Sequence, residues 1–141
     1  MNTDPGAMYE RTGDSVPVGR ARLRGWRFRF AYYADVIEQA GAYTDGVLWK
    51  ISDQALANLD IREGYPYYYD RRMVEVESNG RIYNALVYFM RPGEPMASPS
   101  ASYLSMLHRG YSRFRVPKRQ IWQALKQARV FSFPKDDAKA K

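Results

Sequence analysis

One carboxylate, that of Glu63, has the best placement for acid/base chemistry in this chain of 141 residues. It lies in the run 59–66, which predicts a turn between a short helix and an aromatic-rich strand. A glutamate acts as a general acid/base when partial burial raises its proton affinity and nearby polar groups orient the substrate. Phenol side chains supply a flat apolar wall and one hydrogen bond each. Four of them follow Glu63 closely: Tyr65, Tyr67, Tyr68 and Tyr69.

The same pattern has a purely structural interpretation. Tyrosine is common in strands, so the four phenols are equally typical of a sheet surface. A carboxylate on an exposed turn is then no more than a solvated charge. Spacing alone leaves both interpretations open, and Glu63 is a candidate general acid/base on that basis.

The sequence offers few candidate residues for nucleophilic catalysis, metal binding or phosphate binding. The chain contains no cysteine and one histidine, which excludes disulfides, thiolate zinc sites and cysteine nucleophiles. His108 falls at the end of a predicted helix over 100–109, where a basic side chain is typical of a helix C-terminus rather than of a catalytic base. The carboxylates have no metal-ligand spacing, and no glycine-rich phosphate loop is present. We therefore expect neither a metal nor a cofactor.

Charge and hydropathy limit the partners. The net charge is +7, but the basic residues are spread along the chain, which favours a solubilising surface over a nucleic-acid site. No apolar run reaches the ~18–20 residues of a membrane span, and no signal-peptide core is present. These features, with the absence of cysteine, predict a cytoplasmic protein and leave the oligomeric state open. The best candidates to contact an anionic partner are Arg22, Arg24, Arg27 and Arg29. The alternative interpretation of these arginines is an ordinary solvated strand face.

The pattern of apolar residues predicts an α+β chain with a single domain over 1–131 and a charged, disordered tail over 132–141. We expect a lead-in loop over 1–15, a strand over 16–30 with a bulge at Gly25, and a turn over 41–46 between two short strands. Ser52 predicts the cap of a helix over 53–60, and Asn79 with Gly80 predicts a tight hairpin. The strand over 81–90 is apolar on both faces, which is typical of a central strand. Two helices follow, over 100–109 and from Pro117 onward.

Several segments stand in a characteristic order: 18–30, 46–51, 59–64, 85–88, 99–104 and 116–125. Together they are similar to the γ-glutamylcyclotransferase-like (AIG2-like) family, over roughly residues 8–128. The resemblance implies a small, mixed β-barrel-like sheet with a few flanking helices and one cavity. Members of the family with established activity release 5-oxoproline from γ-glutamyl compounds, and no cofactor is needed.

The resemblance assigns roles to particular residues. It places the general acid/base role on Glu63, which would move a proton from the substrate's α-amine to the leaving nitrogen. It implies that Tyr88 and Tyr103 line the pocket, and Tyr69 is a third candidate substrate-binding residue. The expected partner is a small γ-glutamyl substrate, either an amine or an amino acid adduct. The alternative is a catalytically inactive binding module on the same fold, with an anionic ligand.

The start of the chain departs from the family pattern. Family members carry a first strand and a Tyr-Gly-Ser-Asn or Tyr-Gly-Ser-Leu loop, whose backbone amides bind the γ-glutamyl group. The printed chain begins about where that loop ends. We expect a start codon further upstream, a shortened protein, or a relative that has lost catalysis. Without the first strand, one sheet edge would be left unpaired.

Overall fold

The computed structural model describes the backbone of residues 2–140 and the side chains of residues 2–129. Within these residues a four-stranded antiparallel sheet in the order β2-β1-β3-β4 is flanked by four helices. The elements, in chain order, are α1 (Pro5–Thr12), β1 (Val16–Ala31), β2 (Tyr33–Lys50), α2 (Asp53–Glu63), β3 (Tyr69–Ser78), β4 (Arg81–Met90), α3 (Ala101–Arg113) and α4 (Arg119–Ala140).

A long ribbon made by β1 and β2 forms half of the sheet, with a register that runs from Val16 opposite Lys50 to Ala31 opposite Tyr33. The predicted bulge at Gly25 is confirmed, because the register shifts there and Gly25 has a φ of 85°. The predicted turn over 41–46 is wrong. Residues 43–46 are paired with β1 inside β2, and Gly41, with a φ of 81°, lies in an unpaired irregularity over 39–42.

The second hairpin joins β3 to β4 through Asn79 and Gly80, whose φ values of 52° and 76° match the predicted type I′ turn. The prediction of a central strand over 81–90 is wrong, because β4 lies at an edge of the described sheet. Its apolar character has another cause. Val87 and Phe89 pack on the core around Trp26, while Leu86 lines a cavity, so apolar residues on both faces of β4 are partly buried.

The buried carboxylate of Asp35 connects the two edge strands, β2 and β4. Arg29 on β1 donates from Nε to Oδ2 of Asp35 on β2 at 2.8 Å, and the Asp35 side chain is fully shielded from solvent. The other carboxylate oxygen, Oδ1, accepts a hydrogen bond from the backbone N–H of Met90 on β4 at 2.8 Å. Asp35 therefore links β1, β2 and β4 at one end, and the sheet curls around an interior space.

The N-terminal segment is ordered and structural. Residues 1–15 were expected to form a loop, but Asp4 caps α1 by accepting a hydrogen bond from the backbone of Ala7 at 3.1 Å. The segment before α1 lies directly against α3 at Gly110. A side-chain carbon at that position would stand 2.5 Å from the backbone of Thr3, so only glycine permits the approach. This contact places Asn2 and Thr3 beside the interior space.

The helical layer covers one face of the ribbon. Leu107 and Tyr111 of α3 pack with Ile121 of α4 against Phe30 of β1, and all four are buried. The predicted α+β class is confirmed by this arrangement. The disordered tail was predicted over 132–141, where the side chains lie outside the described part of the chain. Both this tail and the predicted domain boundary at residue 131 stay predictions.

Replacement of Asp35 by Asn is expected to lower the free energy of unfolding by about 3–5 kcal/mol, because Arg29 would remain buried without a compensating charge. Urea denaturation followed by circular dichroism measures the loss. The matched control is Glu38→Gln, which removes a partner of Arg72 from an exposed ion pair and should cost about 1 kcal/mol or less. Equal losses in the two variants would contradict the structural role of Asp35.

Candidate active site

Helix α2 positions the candidate carboxylate. Ser52 begins the helix, as predicted, by accepting a hydrogen bond from the backbone of Ala55 at 3.1 Å. The helix ends at Gly64, which adopts the left-handed conformation with a φ of 68°. The prediction that Glu63 lies on a turn is wrong in detail. Glu63 is the last residue of α2, because the helix continues for three residues beyond the predicted end.

Asp60 fixes the last turn of α2 against the sheet. Its carboxylate accepts from Nη1 of Arg71 on β3 at 2.8 and 3.0 Å, and from the hydroxyl of Tyr88 on β4 at 2.7 Å. A carboxylate held by both a guanidinium and a phenol forms strong, directional contacts. Since Asp60 and Glu63 are three residues apart on the same helix, this anchor also sets the position of Glu63.

Two neighbouring spaces meet at Glu63. The inner one is a cavity of about 180 Å³ inside the curled sheet, lined mainly by apolar strand residues. The outer one is a wider mouth of about 820 Å³ between α1, α2 and α3. Glu63 and Tyr69 line both spaces. Among the described residues, no ion pair includes Glu63, so its carboxylate is not committed to a cation of the chain.

Two of the candidate tyrosines bond to the backbone of one residue, Ala34, near Glu63. The hydroxyl of Tyr69 donates to the carbonyl of Ala34 at 3.3 Å, and that of Tyr103 accepts from the N–H of the same residue at 3.1 Å. Burial, with the charge of Glu63 second, raises the pKa of Tyr69 well above its usual value. Burial is also the main cause that raises the pKa of Tyr103 to about 12, although its bond to Ala34 acts in the opposite direction.

The third candidate, Tyr88, lines the inner cavity and is oriented by Asp60 rather than by Glu63. Burial first, and its hydrogen bond to Asp60 second, raise the pKa of Tyr88 above the usual value. All three predicted tyrosines therefore line the two spaces as neutral phenols at physiological pH. Tyr67, by contrast, is 89% exposed and lies outside them.

Sequence analysis missed two residues beside the cavity. Asp60 was taken only as part of a turn, although its position three residues before Glu63 is a detectable signal. Thr3 gave no signal at all. It lines the inner cavity, is 1% exposed, and its hydroxyl has no hydrogen-bond partner among the described residues. A buried hydroxyl of this kind is a natural contact for a polar group of a ligand.

The arginines proposed for an anionic partner are engaged within the chain. Arg22 pairs with Asp45, and the buried Arg29 pairs with Asp35, so neither is a simple solvated residue. Arg24 contacts Glu77, while Arg27 donates to two glutamine side chains. This strand therefore presents internal pairs rather than a free basic face.

His108 is not at a helix end, as was expected, because α3 continues to Arg113. Its ring packs 5.1 Å from that of Trp122 on α4. Burial, with the charge of Lys118 second, lowers the pKa of His108 below its usual value. The histidine lies outside both spaces at Glu63, so it takes no part in the candidate site.

The fold and the site define a class. A curled antiparallel sheet lines a largely apolar cavity, and Glu63 lies where this cavity meets the outer mouth, near three buried or partly buried tyrosines. None of the helices within the described residues combines the length and the apolar character that a membrane-spanning helix requires. The family model for gamma-glutamyl cyclotransferase, AIG2-like, matches residues 1–106. The chain belongs to this family, and the resemblance of its sequence segments is thereby confirmed.

Individual relatives agree with this assignment. The "Putative gamma-glutamylcyclotransferase YkqA" of Bacillus subtilis (strain 168) is 34% identical over 110 residues, which is 72% of this chain and 39% of that protein. The crystal structure of YkqA superposes with a TM-score of 0.72 at 30% identity, over 86% of this chain and 48% of that one. A solved gamma-glutamyl cyclotransferase gives a TM-score of 0.77 at 22% identity, over 89% and 81%. The chain thus spans about two fifths of the curated relative.

Gly64 is expected to be needed for placing Glu63. In Gly64→Ala the left-handed conformation costs about 1–2 kcal/mol. The new carbon would also stand 3.0 Å from Cβ of Tyr68. Gly13→Ala is the matched control, because Gly13 ends α1 with a φ of 80° and has open space around it. Urea denaturation should show a larger loss for Gly64→Ala, whereas equal losses would contradict the steric role of Tyr68.

Proposed function

We propose that the chain catalyses the intramolecular cyclisation of a γ-glutamyl amine or γ-glutamyl amino acid to 5-oxoproline, with release of the amine. The observation that carries the proposal is the position of Glu63 at the junction of the inner cavity and the outer mouth. Membership of the gamma-glutamyl cyclotransferase family supports it. A cytoplasmic location belongs to the same proposal.

The reaction balances without a co-reactant. The α-amine nitrogen of the substrate forms a bond to its own γ-carbonyl carbon, which closes a five-membered lactam. The bond from that carbon to the leaving nitrogen then breaks. Glu63 takes one proton from the attacking nitrogen and delivers it to the leaving nitrogen, so the carboxylate is restored at the end of each turnover.

The two spaces suit the two parts of such a substrate. The inner cavity takes the γ-glutamyl head in a folded conformation, and the mouth takes the leaving portion. Because the nucleophile belongs to the substrate, confinement that brings the amine within reach of the carbonyl supplies much of the rate acceleration. Neutral phenols at Tyr69 and Tyr88 restrict the head sterically, and the hydroxyl of Thr3 offers it a polar contact.

Replacement of Glu63 by Gln is expected to reduce 5-oxoproline release by about 10²–10⁴-fold, the range typical of a general acid/base. The measurement is chromatographic detection of 5-oxoproline from γ-glutamyl amines and amino acids. The fold should be retained, because Glu63 forms no ion pair among the described residues. The thermal midpoint of the variant tests this directly.

The control is Glu75→Gln, which makes the same change at an exposed position on β3 away from both spaces. It should leave turnover unchanged. Full turnover by Glu63→Gln would refute the assigned role. Absence of turnover in the unaltered, folded chain would refute the proposed reaction and favour a binding module on the same fold.

A further inference from the structure

The mouth outside Glu63 is bordered by three guanidinium groups from three different helices. Arg11 lies on α1, Arg62 on α2 and Arg109 on α3, and all three line the outer space together with Glu63. No arginine lines the inner cavity among the described residues. The basic side chains therefore border only the part of the site beyond Glu63.

The positive charge of the three arginines at this mouth exceeds the negative charge near them, which comes from Glu63 and Asp4. Arg11 is half-buried, and its hydrogen-bond partner is the uncharged Oδ1 of Asn2 at 2.6 Å. Neither Arg11 nor Arg62 belongs to an ion pair among the described residues. Arg109 approaches Asp4 only to 3.7 Å, with 64% of its side chain exposed. Burial, with the charge of Arg62 second, lowers the pKa of Arg11.

Arginines on the sheet show a different arrangement. Their guanidinium nitrogens lie 2.6–3.3 Å from carboxylate oxygens in five pairs: Arg22 with Asp45, Arg24 with Glu77, Arg29 with Asp35, Arg71 with Asp60 and Arg72 with Glu38. Clustered like charges with few close carboxylate partners are unfavourable, and an anion placed between them relieves the repulsion. The mouth is thus suited to bind an anion.

We propose that Arg11, Arg62 and Arg109 bind carboxylates on the leaving amine, so that the preferred substrates are γ-glutamyl derivatives of acidic amino acids. This inference rests on the proposed function, because that function sets how the substrate lies between the inner cavity and the mouth. Since Glu63 must serve both the attacking and the leaving nitrogen, the scissile bond lies at the junction. Groups beyond the leaving nitrogen then extend into the mouth and reach the arginines.

A nested series of substrates tests the inference, because each member adds one carboxylate to the last. The members are γ-glutamyl-ethylamine, γ-glutamyl-alanine and γ-glutamyl-aspartate. We expect kcat/KM to rise along the series, with at least a tenfold advantage of the aspartate adduct over the ethylamine adduct. The advantage should shrink as ionic strength increases, because salt screens charges at an open site.

The variants Arg11→Gln and Arg62→Gln each remove one charge of the cluster. Both should reduce the ratio of kcat/KM for the aspartate adduct over the ethylamine adduct by about tenfold or more, with little change for the ethylamine adduct itself. Arg62 is exposed on the last turn of α2, so its variant keeps the fold. The matched control is Arg81→Gln, an exposed arginine outside the mouth that should leave the ratio unchanged.

Equilibrium binding separates this inference from the proposed reaction. Calorimetric titration of the unaltered chain with the three compounds measures their binding affinities, and it does so even if the protein proves inactive. Tighter binding of the aspartate adduct that is lost in Arg62→Gln would uphold the anion site even without catalysis. A ratio that is the same in the unaltered chain and both variants would overturn the inference while leaving the cyclisation proposal intact. Absence of any preference for carboxylates would overturn it as well.

Discussion

The fold depends most on the carboxylate of Asp35. In the sheet order β2-β1-β3-β4, the first and last strands are the two edges, and nothing in the hairpins brings them together. Asp35 does so, because one oxygen receives Arg29 and the other receives the backbone of Met90. A flat sheet would enclose no space. The curled sheet that lines the cavity is therefore held at one end by a buried carboxylate whose two oxygens are both satisfied.

The position of Glu63 follows from a second, independent constraint. Asp60 ties α2 to Arg71 and Tyr88 on the hairpin that forms the far wall of the cavity. Gly64 then turns the chain away from the helix. A carboxylate on a free loop would sample many positions. Glu63 instead ends a helix whose last turn is bonded to the sheet through Asp60. Placement of an acid/base group on a rigid element is the usual requirement for proton transfer at a defined distance.

Local signals in the sequence were sufficient where the structure is locally determined. The hairpin at Asn79 and Gly80, the bulge at Gly25 and the cap at Ser52 each depend on the preferences of one or two residues, and all three are found. The turn over 41–46 was predicted from the same kind of signal and is absent. Pairing of residues 43–46 with β1 continues β2 there and leaves only an irregularity at Gly41, which is a tertiary effect that the local sequence does not contain.

The site was predictable to the extent that it lies on contiguous segments or on the family pattern. Glu63 and Tyr69 are close in sequence, and the resemblance supplied Tyr88 and Tyr103. Thr3 and Arg11 could not be found in this way, since the contact of the N-terminal segment with Gly110 places them at the site across more than a hundred residues. The contact between Thr3 and Gly110 also brings α1 to the outer mouth. Strands line a largely apolar inner cavity, and the helices α1, α2 and α3 add the arginines at the outer mouth. In the proposed reaction the first would confine the reacting atoms and the second would select the leaving amine.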